Sequence, residues 1–220
     1  MKNLFKIIII LGFFIPNSFG QEKPKRFKLF PKDSIHLKRF YDFDLSYFEL
    51  KKGEKIASIG AGDGSQEVEL AVFNEDIDWT LNDIDSASLN PIEFKKVLDY
   101  FENITHQPIK GKFSFVIGEE KKTNLSENTF DKILLNNVYH ELSDKQAIMS
   151  DIHRALKANG LIVIMEVMAD KLGQRHQGCN RLKPWEPDFL KEMEGFNFKL
   201  VKKNRPKKKR SSTFYFYEKM

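Results

Sequence analysis

An α/β fold with a doubly wound, mostly parallel sheet is what this 220-residue sequence predicts, and three observations predict it. Short apolar runs alternate with segments of helical period from residue 55 to residue 201, the order that parallel βαβ units require. Residues 161–167 are apolar apart from Glu166, as a strand buried on both faces must be. The last two strand candidates, 196–201 and 213–217, are joined without a helix and therefore form an antiparallel pair at one edge. A content of 41% hydrophobic and 30% charged residues suits one principal core.

The first twenty residues stand apart from that fold. Lys2 and Lys6 form a basic start, residues 7–15 a short apolar stretch, Pro16 a break, and Ser18-Phe19-Gly20 a small-x-small cleavage site ahead of Gln21. This reads as a bacterial-type export signal cut after Gly20, which places the chain in the periplasm or envelope. Because Lys23, Lys25, Arg26, Lys28 and Lys32 follow directly and positive charge resists translocation, an uncleaved, membrane-attached form is the alternative. Residues 21–32 are a basic lead-in, and 33–220 the folded domain.

From Asp33, a helix N-cap, the residues Ile35, Phe40, Phe43, Leu45 and Phe48 read as an amphipathic helical segment. Residues 55–71 follow as the centre of the chain. Ile56, Ala57 and Ile59 make a buried strand, Gly60, Gly62 and Gly64 a sharp turn, and Ser65 caps a helix carrying Val68, Leu70, Ala71 and Val72. Strand, glycine turn and helix together present backbone amides to a nucleotide-like ligand. A second strand over 77–81 ends in Asn82-Asp83-Ile84-Asp85, and Ser86 or Ser88 caps a helix with Phe94, Val97, Leu98 and Phe101 on one face. A third strand over 112–117 ends at Gly118-Glu119, and a fourth over 130–135 runs into Asn136-Asn137. Ser143 and Gln146 make a capping box for the next helix, which Asn159-Gly160 ends before the apolar strand. A polar loop over 168–187 and a helix over 188–194 lead to the closing pair.

Over residues 34–218 these motifs, in this order, resemble the class I S-adenosylmethionine-dependent methyltransferases. The matching stretches are IGAGDGS, the acid of LNDID, NTFDKILLNNVYHEL and DIHRALKANGLIVIMEV. The resemblance implies a seven-stranded Rossmann-like sheet with an antiparallel last strand and S-adenosyl-L-methionine as cofactor. It implies cofactor contacts at Gly60, Ala61, Gly62 and Gly64, and a ribose-binding carboxylate at Asp83 beside Ile84, with Asp85 as the alternative acid. An adenine-amino acceptor at Glu119 and a lining residue at Asn136 complete the set. The acid that such proteins often carry two residues before the first glycine is Ser58 here.

Methyl transfer from a sulfonium is an in-line displacement, so alignment is most of the task and a base need only take the acceptor's proton. Tyr139, His140 and Glu141 follow the fourth strand, where open α/β sheets bind ligands, and an imidazole pKa of about 6.5 suits a base. The structural alternative is that they only lead into the next helix. Arg175 and His176, in the loop after the fifth strand, are substrate-facing candidates. His176 and Cys179 have ligand spacing but no third partner in view, so no metal is expected. As the sole cysteine, Cys179 also excludes an internal disulfide and a cysteine-only zinc site.

The net charge of +5 gathers in two clusters instead of a broad face, so a small-molecule substrate is expected and nucleic acid is not. One cluster, from Lys202 to Arg210, is a solvated hairpin or a contact for an anionic membrane surface. That cluster carries the rival reading, a catalytically inactive envelope protein that binds through it. A nicotinamide dehydrogenase is disfavoured because its third glycine would fall at Ser65.

Overall fold

The computed structural model describes residues 31–43, 45–206 and 212–220. The export segment, nearly all of the basic lead-in and the far end of the basic hairpin lie outside the described residues. The chain forms α1 (Ser34–Phe43), β1 (Lys55–Ile59), α2 (Ser65–Phe73), β2 (Asp78–Asp83), α3 (Pro91–Thr105), β3 (Lys112–Ile117) and β4 (Phe130–Asn136). After a 3-10 turn (Tyr139–Glu141) come α4 (Lys145–Ala155), β5 (Leu156–Glu166), α5 (Glu186–Gly195), β6 (Phe198–Asn204) and β7 (Thr213–Lys219).

The seven strands make one sheet in the order β3-β2-β1-β4-β5-β7-β6. The pairings β1–β2, β1–β4, β2–β3 and β4–β5 are parallel, whereas β7 runs antiparallel between β5 and β6. The predicted reversed last strand is therefore present, slotted one place in from the edge. Ile56 to Ile59 are buried, as a strand flanked on both sides requires. Beside them, Ile133, Leu135, Ile162 and Ile164 pack with Ile148, Ile152, Phe189 and Met193 from α4 and α5.

Several helix starts differ from expectation for local reasons. Asp33 caps α1 as predicted, accepting from His36 N at 2.8 Å. Yet only Leu37 of α1 is buried, and Ile35, Phe40 and Phe43 are exposed; Leu45 and Phe48 of the following 3-10 turn do the packing. Ser65 does not cap α2: Gly64 holds the N-cap position in a left-handed conformation, and Asp63 accepts from Ser65 N. Asn90, not Ser86 or Ser88, caps α3 by accepting from the amides of Ile92 and Glu93. Asp144 replaces the predicted Ser143 and Gln146 box at α4 by accepting from Ala147 N. The Asn159-Gly160 stop is also relocated, because α4 passes straight into β5 at Leu156. Gly160 sits instead at a register shift against β4, where a Cβ would lie 2.8 Å from the Phe130 carbonyl.

Candidate functional site

Strand order reverses between β1 and β4, and in open α/β sheets the crevice outside the carboxyl ends at such a point is where ligands bind. The glycine turn leaves β1 there. Gly60 N and Ala61 N both donate to the Asn82 carbonyl, at 2.8 and 3.0 Å, tying the turn to the end of β2. Gly62 N donates to Asp83 Oδ2 at 2.7 Å, and Asp85 N to Asp83 Oδ1 at 2.9 Å. Loop and acid are thus brought together, with the half-buried Asp83 carboxylate directed at the turn. Asp85 does not compete for this place, since it accepts from Ala87 N and Ser88 Oγ inside its own turn.

The three glycines do different work. Gly60 and Gly62 have φ of 70° and 59°, which a residue without a Cβ adopts freely. A Cβ on Gly60 would lie 2.6 Å from Val138, so the segment after β4 rests directly on the turn. Gly64 faces the core: a Cβ there would overlap Leu81 and lie 2.7 Å from Phe94. It lets α2 approach the sheet closely.

Around the crevice, Asn82 is buried and donates to the carbonyls of Val116 and Thr123, holding the ends of β2 and β3 together. Glu119 is exposed just beyond β3, where its backbone bridges Lys122 and its carboxylate receives a 3.4 Å bond from Asn124. Ile84, next to Asp83, exposes 60% of its surface. Asn136 Oδ1, at the end of β4, is buried with no hydrogen-bond partner. Ser58 stands where an acid is common in similar proteins, and α2 delivers a carboxylate to it. Its hydroxyl donates to buried Glu67 at 2.6 Å. Burial raises the Glu67 carboxyl to about 7 against the lowering effect of the Ser58 bond, and the nearby Asp63 and Asp83 charges add to the rise.

A second cluster forms where β4 and β5 end side by side. Glu166, wholly buried, accepts from His140 N at 3.3 Å, and both its oxygens lie 3.1 Å from His140 Nδ1. His140 Nε2 faces Cys179 Sγ at 3.4 Å and Glu141 Oε1 at 3.6 Å. The His176 ring stacks on His140 with centroids 3.9 Å apart and planes 19° apart, and its buried Nε2 has no hydrogen-bond partner. Burial opposes protonation of His140, but the Glu166 carboxylate outweighs it and raises the pKa. For His176, burial and the neighbouring His140 lower it. The Cys179 thiol is lowered first by a backbone hydrogen bond at Arg181 and then by His140.

Two predicted residues do not join this cluster. Tyr139 is buried, donates to Glu192 of α5 at 2.6 Å and packs edge-on against Phe189. Burial, then Glu192, pushes its phenol far above the ordinary range, and the side chain packs toward α5 instead of facing the cluster. Arg175 donates to the Asn180 carbonyl at 2.7 Å and so braces its own loop. Glu166, Cys179 and Glu67 are the residues that sequence reasoning left without a role. A lone charge inside an apolar strand was the available signal for Glu166. Glu67 sits on a helical face among Val68, Leu70 and Ala71 and carried none.

A glycine turn and a directed carboxylate at the switch point, on a sheet with a reversed seventh strand, define a Rossmann-like protein for a nucleoside-bearing cofactor. The chain belongs to the methyltransferase domain family, whose model matches residues 50–210. Over 135 residues it is 24% identical to the ubiquinone/menaquinone biosynthesis C-methyltransferase UbiE of Coxiella burnetii (strain Dugway 5J108-111), covering 60% of this chain and 51% of that protein. The chain thus spans about half the length of the curated relatives it matches. Its fold resembles that of a SAM-dependent methyltransferase from Aquifex aeolicus (TM-score 0.60, 16% identity, 86% of this chain and 99% of that one). It also resembles that of a SAM-dependent methyltransferase from Methanosarcina mazei (TM-score 0.62, 14% identity, 80% of this chain and 97% of that one).

Proposed function

We propose that this chain transfers the methyl group of S-adenosylmethionine to a small-molecule acceptor. The observation that carries the reading is the Gly62 amide on the Asp83 carboxylate at the switch point, because it places bare main chain and a diol-binding acid side by side. The residues fit the cofactor in two further respects. The orphan Asn136 oxygen can accept from an ammonium, and the exposed Ile84 side chain offers an apolar surface to a purine. When bound, the cofactor supplies an electrophilic methyl group with a neutral leaving group. The chain's own part is to hold and orient through Gly60, Ala61, Gly62, Asp83 and Asn136, with Glu119 at the outer edge. His140, held at Nδ1 by Glu166, turns Nε2 toward the open side of the neighbouring cluster.

Calorimetry with S-adenosylmethionine and S-adenosylhomocysteine tests the reading: both bind the full chain and both weaken on Asp83→Asn. No heat from either ligand refutes it. The rival binding-protein reading loses support because Lys202 pairs with Glu49 and Lys203 with Glu186, which ties the near part of the basic stretch to the fold. The same proposal carries the export signal of residues 1–20, with a mature chain beginning at Gln21 in the periplasm or envelope. Amino-terminal sequencing that finds Met1 on the chain recovered from cells refutes that part alone.

A further inference from the structure

We infer that His140, Cys179 and Glu141 form a site for a zinc-class divalent cation, with a coordination position left for a thiol acceptor. The thiol assignment rests on the methyl-transfer reading; the metal site does not.

Geometry selects these ligands. A tetrahedral ion with metal–nitrogen, –oxygen and –sulfur bonds of roughly 2.0 to 2.3 Å holds its ligand atoms about 3.3 to 3.6 Å apart. His140 Nε2 lies 3.4 Å from Cys179 Sγ and 3.6 Å from Glu141 Oε1, and all three ligand atoms fall within 4.8 Å of one another. Among the described residues, the other combination with that spacing is His140, Glu166 and His176. It fails on ring orientation: imidazole lone pairs lie in the ring plane, and two rings stacked at 3.9 Å and 19° have planes that meet far beyond the ~2 Å reach of a metal–nitrogen bond.

What surrounds His140 is the support that a ligating imidazole needs. Its side chain is 1% exposed, and Nδ1 is held by the wholly buried Glu166 carboxylate, which fixes the proton there and leaves the Nε2 lone pair for a metal. The stacked His176 ring restricts rotation. In contrast, Glu141 and Cys179 are exposed, so the ion would be rigidly anchored on one side and open on the other. One nitrogen, one thiolate and one carboxylate suit zinc and its neighbours, not magnesium or calcium. Three protein ligands with an open position are the pattern of reactive zinc sites, and a thiol that takes such a position loses its proton outright. The site adjoins the glycine turn through Val138, which packs on Gly60 two residues before His140.

For the reaction, the acceptor S–H gives its proton to solvent and the thiolate sulfur forms the new bond to the methyl carbon. The carbon–sulfonium bond breaks with its electron pair going to the donor sulfur, leaving two neutral thioethers. Charge and atoms balance without an oxidant or reductant.

Cobalt(II) titration of the full chain tests the site by absorbance, independently of the methyl donor. One equivalent of cobalt should bring up tetrahedral visible bands and a thiolate-to-cobalt charge-transfer band. Cys179→Ser, at an exposed position, should abolish the charge-transfer band, and Glu166→Gln should weaken cobalt affinity about 10- to 100-fold. A band that is absent from the wild type, or that survives Cys179→Ser, overturns the metal site. On the cobalt form, a small monothiol should add a second thiolate transition, and an unchanged spectrum overturns the thiol assignment. Failure of S-adenosylmethionine to bind leaves the cobalt spectra as predicted, so the two readings fail separately.

Discussion

Glu67 gives the sharpest test of how the glycine turn is supported. Its carboxylate is buried under the turn, with one oxygen on the Ser58 hydroxyl and the other, Oε2, without a partner. Burial raises the carboxyl from 4.5 to about 7. Between those values the folded chain keeps a proton that the unfolded chain has lost, so stability falls as pH rises through the interval. Below 4.5 both states are protonated and no penalty exists; above about 7 the penalty is complete. Two and a half pH units at about 1.4 kcal/mol each give about 3 kcal/mol. Glu67→Gln keeps an acceptor for Ser58 and removes the ionisation. Relative to wild type, it should therefore be stabilising by about 3 kcal/mol at pH 8.5, or roughly 6–12 °C in Tm for a domain of this size. At pH 4.5 the difference should be small. Urea unfolding of both proteins at the two pH values, without added cofactor, isolates Glu67 because other titrating groups cancel in the comparison. A mutant effect that is the same at both pH values refutes the reasoning.

Three further outcomes follow from the same geometry. Asp83→Asn removes a charged acceptor and should weaken S-adenosylmethionine binding about 10- to 100-fold by calorimetry, in line with a loss of about 1.5–3 kcal/mol for a hydrogen bond to a charged group. Gly64→Ala adds a methyl group against Leu81 and Phe94 at a φ of 78°, so thermal melts should show a loss of at least about 2 kcal/mol. Tyr139→Phe removes the bond to Glu192 and should cost about 1 kcal/mol of stability while leaving cofactor affinity unchanged, as befits a packing residue.

The cofactor half of the site was legible because its parts are local. The glycine turn directly follows β1, and Asp83 closes β2, so the βαβ rule alone puts both at one sheet edge. Strand positions were legible for the same reason: apolar runs flanked by polar turns mark β3 and β4 almost to the residue. Caps were not. Ser65, Ser86, Ser88 and Ser143 are all competent capping residues, and the choice among neighbours depends on where packing starts the helix. The side chain of Tyr139 was also hidden. It directly precedes His140, yet in the turn after β4 the two point to different neighbours, one to α5 and the other to Glu166.

The acceptor half shows how far topology must be known before chemistry can be read. His140 and Glu166 are 26 residues apart, and His140 and Cys179 are 39 apart, so no local pattern links them. What links them is that β4 and β5 are parallel neighbours with Asn136 opposite Met165. Residues that follow two such strands must emerge together at the carboxyl edge, which sets the 3-10 turn of β4 against Glu166 at the end of β5. The chain then has to travel from that edge to the start of α5 at Glu186, and the intervening loop doubles back, with Arg175 bridging Leu182. That reversal lays His176 on His140 and swings Cys179 to its open side. Placing an acid at the last position of a buried strand is costly unless a buried donor meets it, and here the donor is the imidazole that the neighbouring strand delivers. Strand order therefore decides the pairing, and the pairing decides which imidazole nitrogen is left to act.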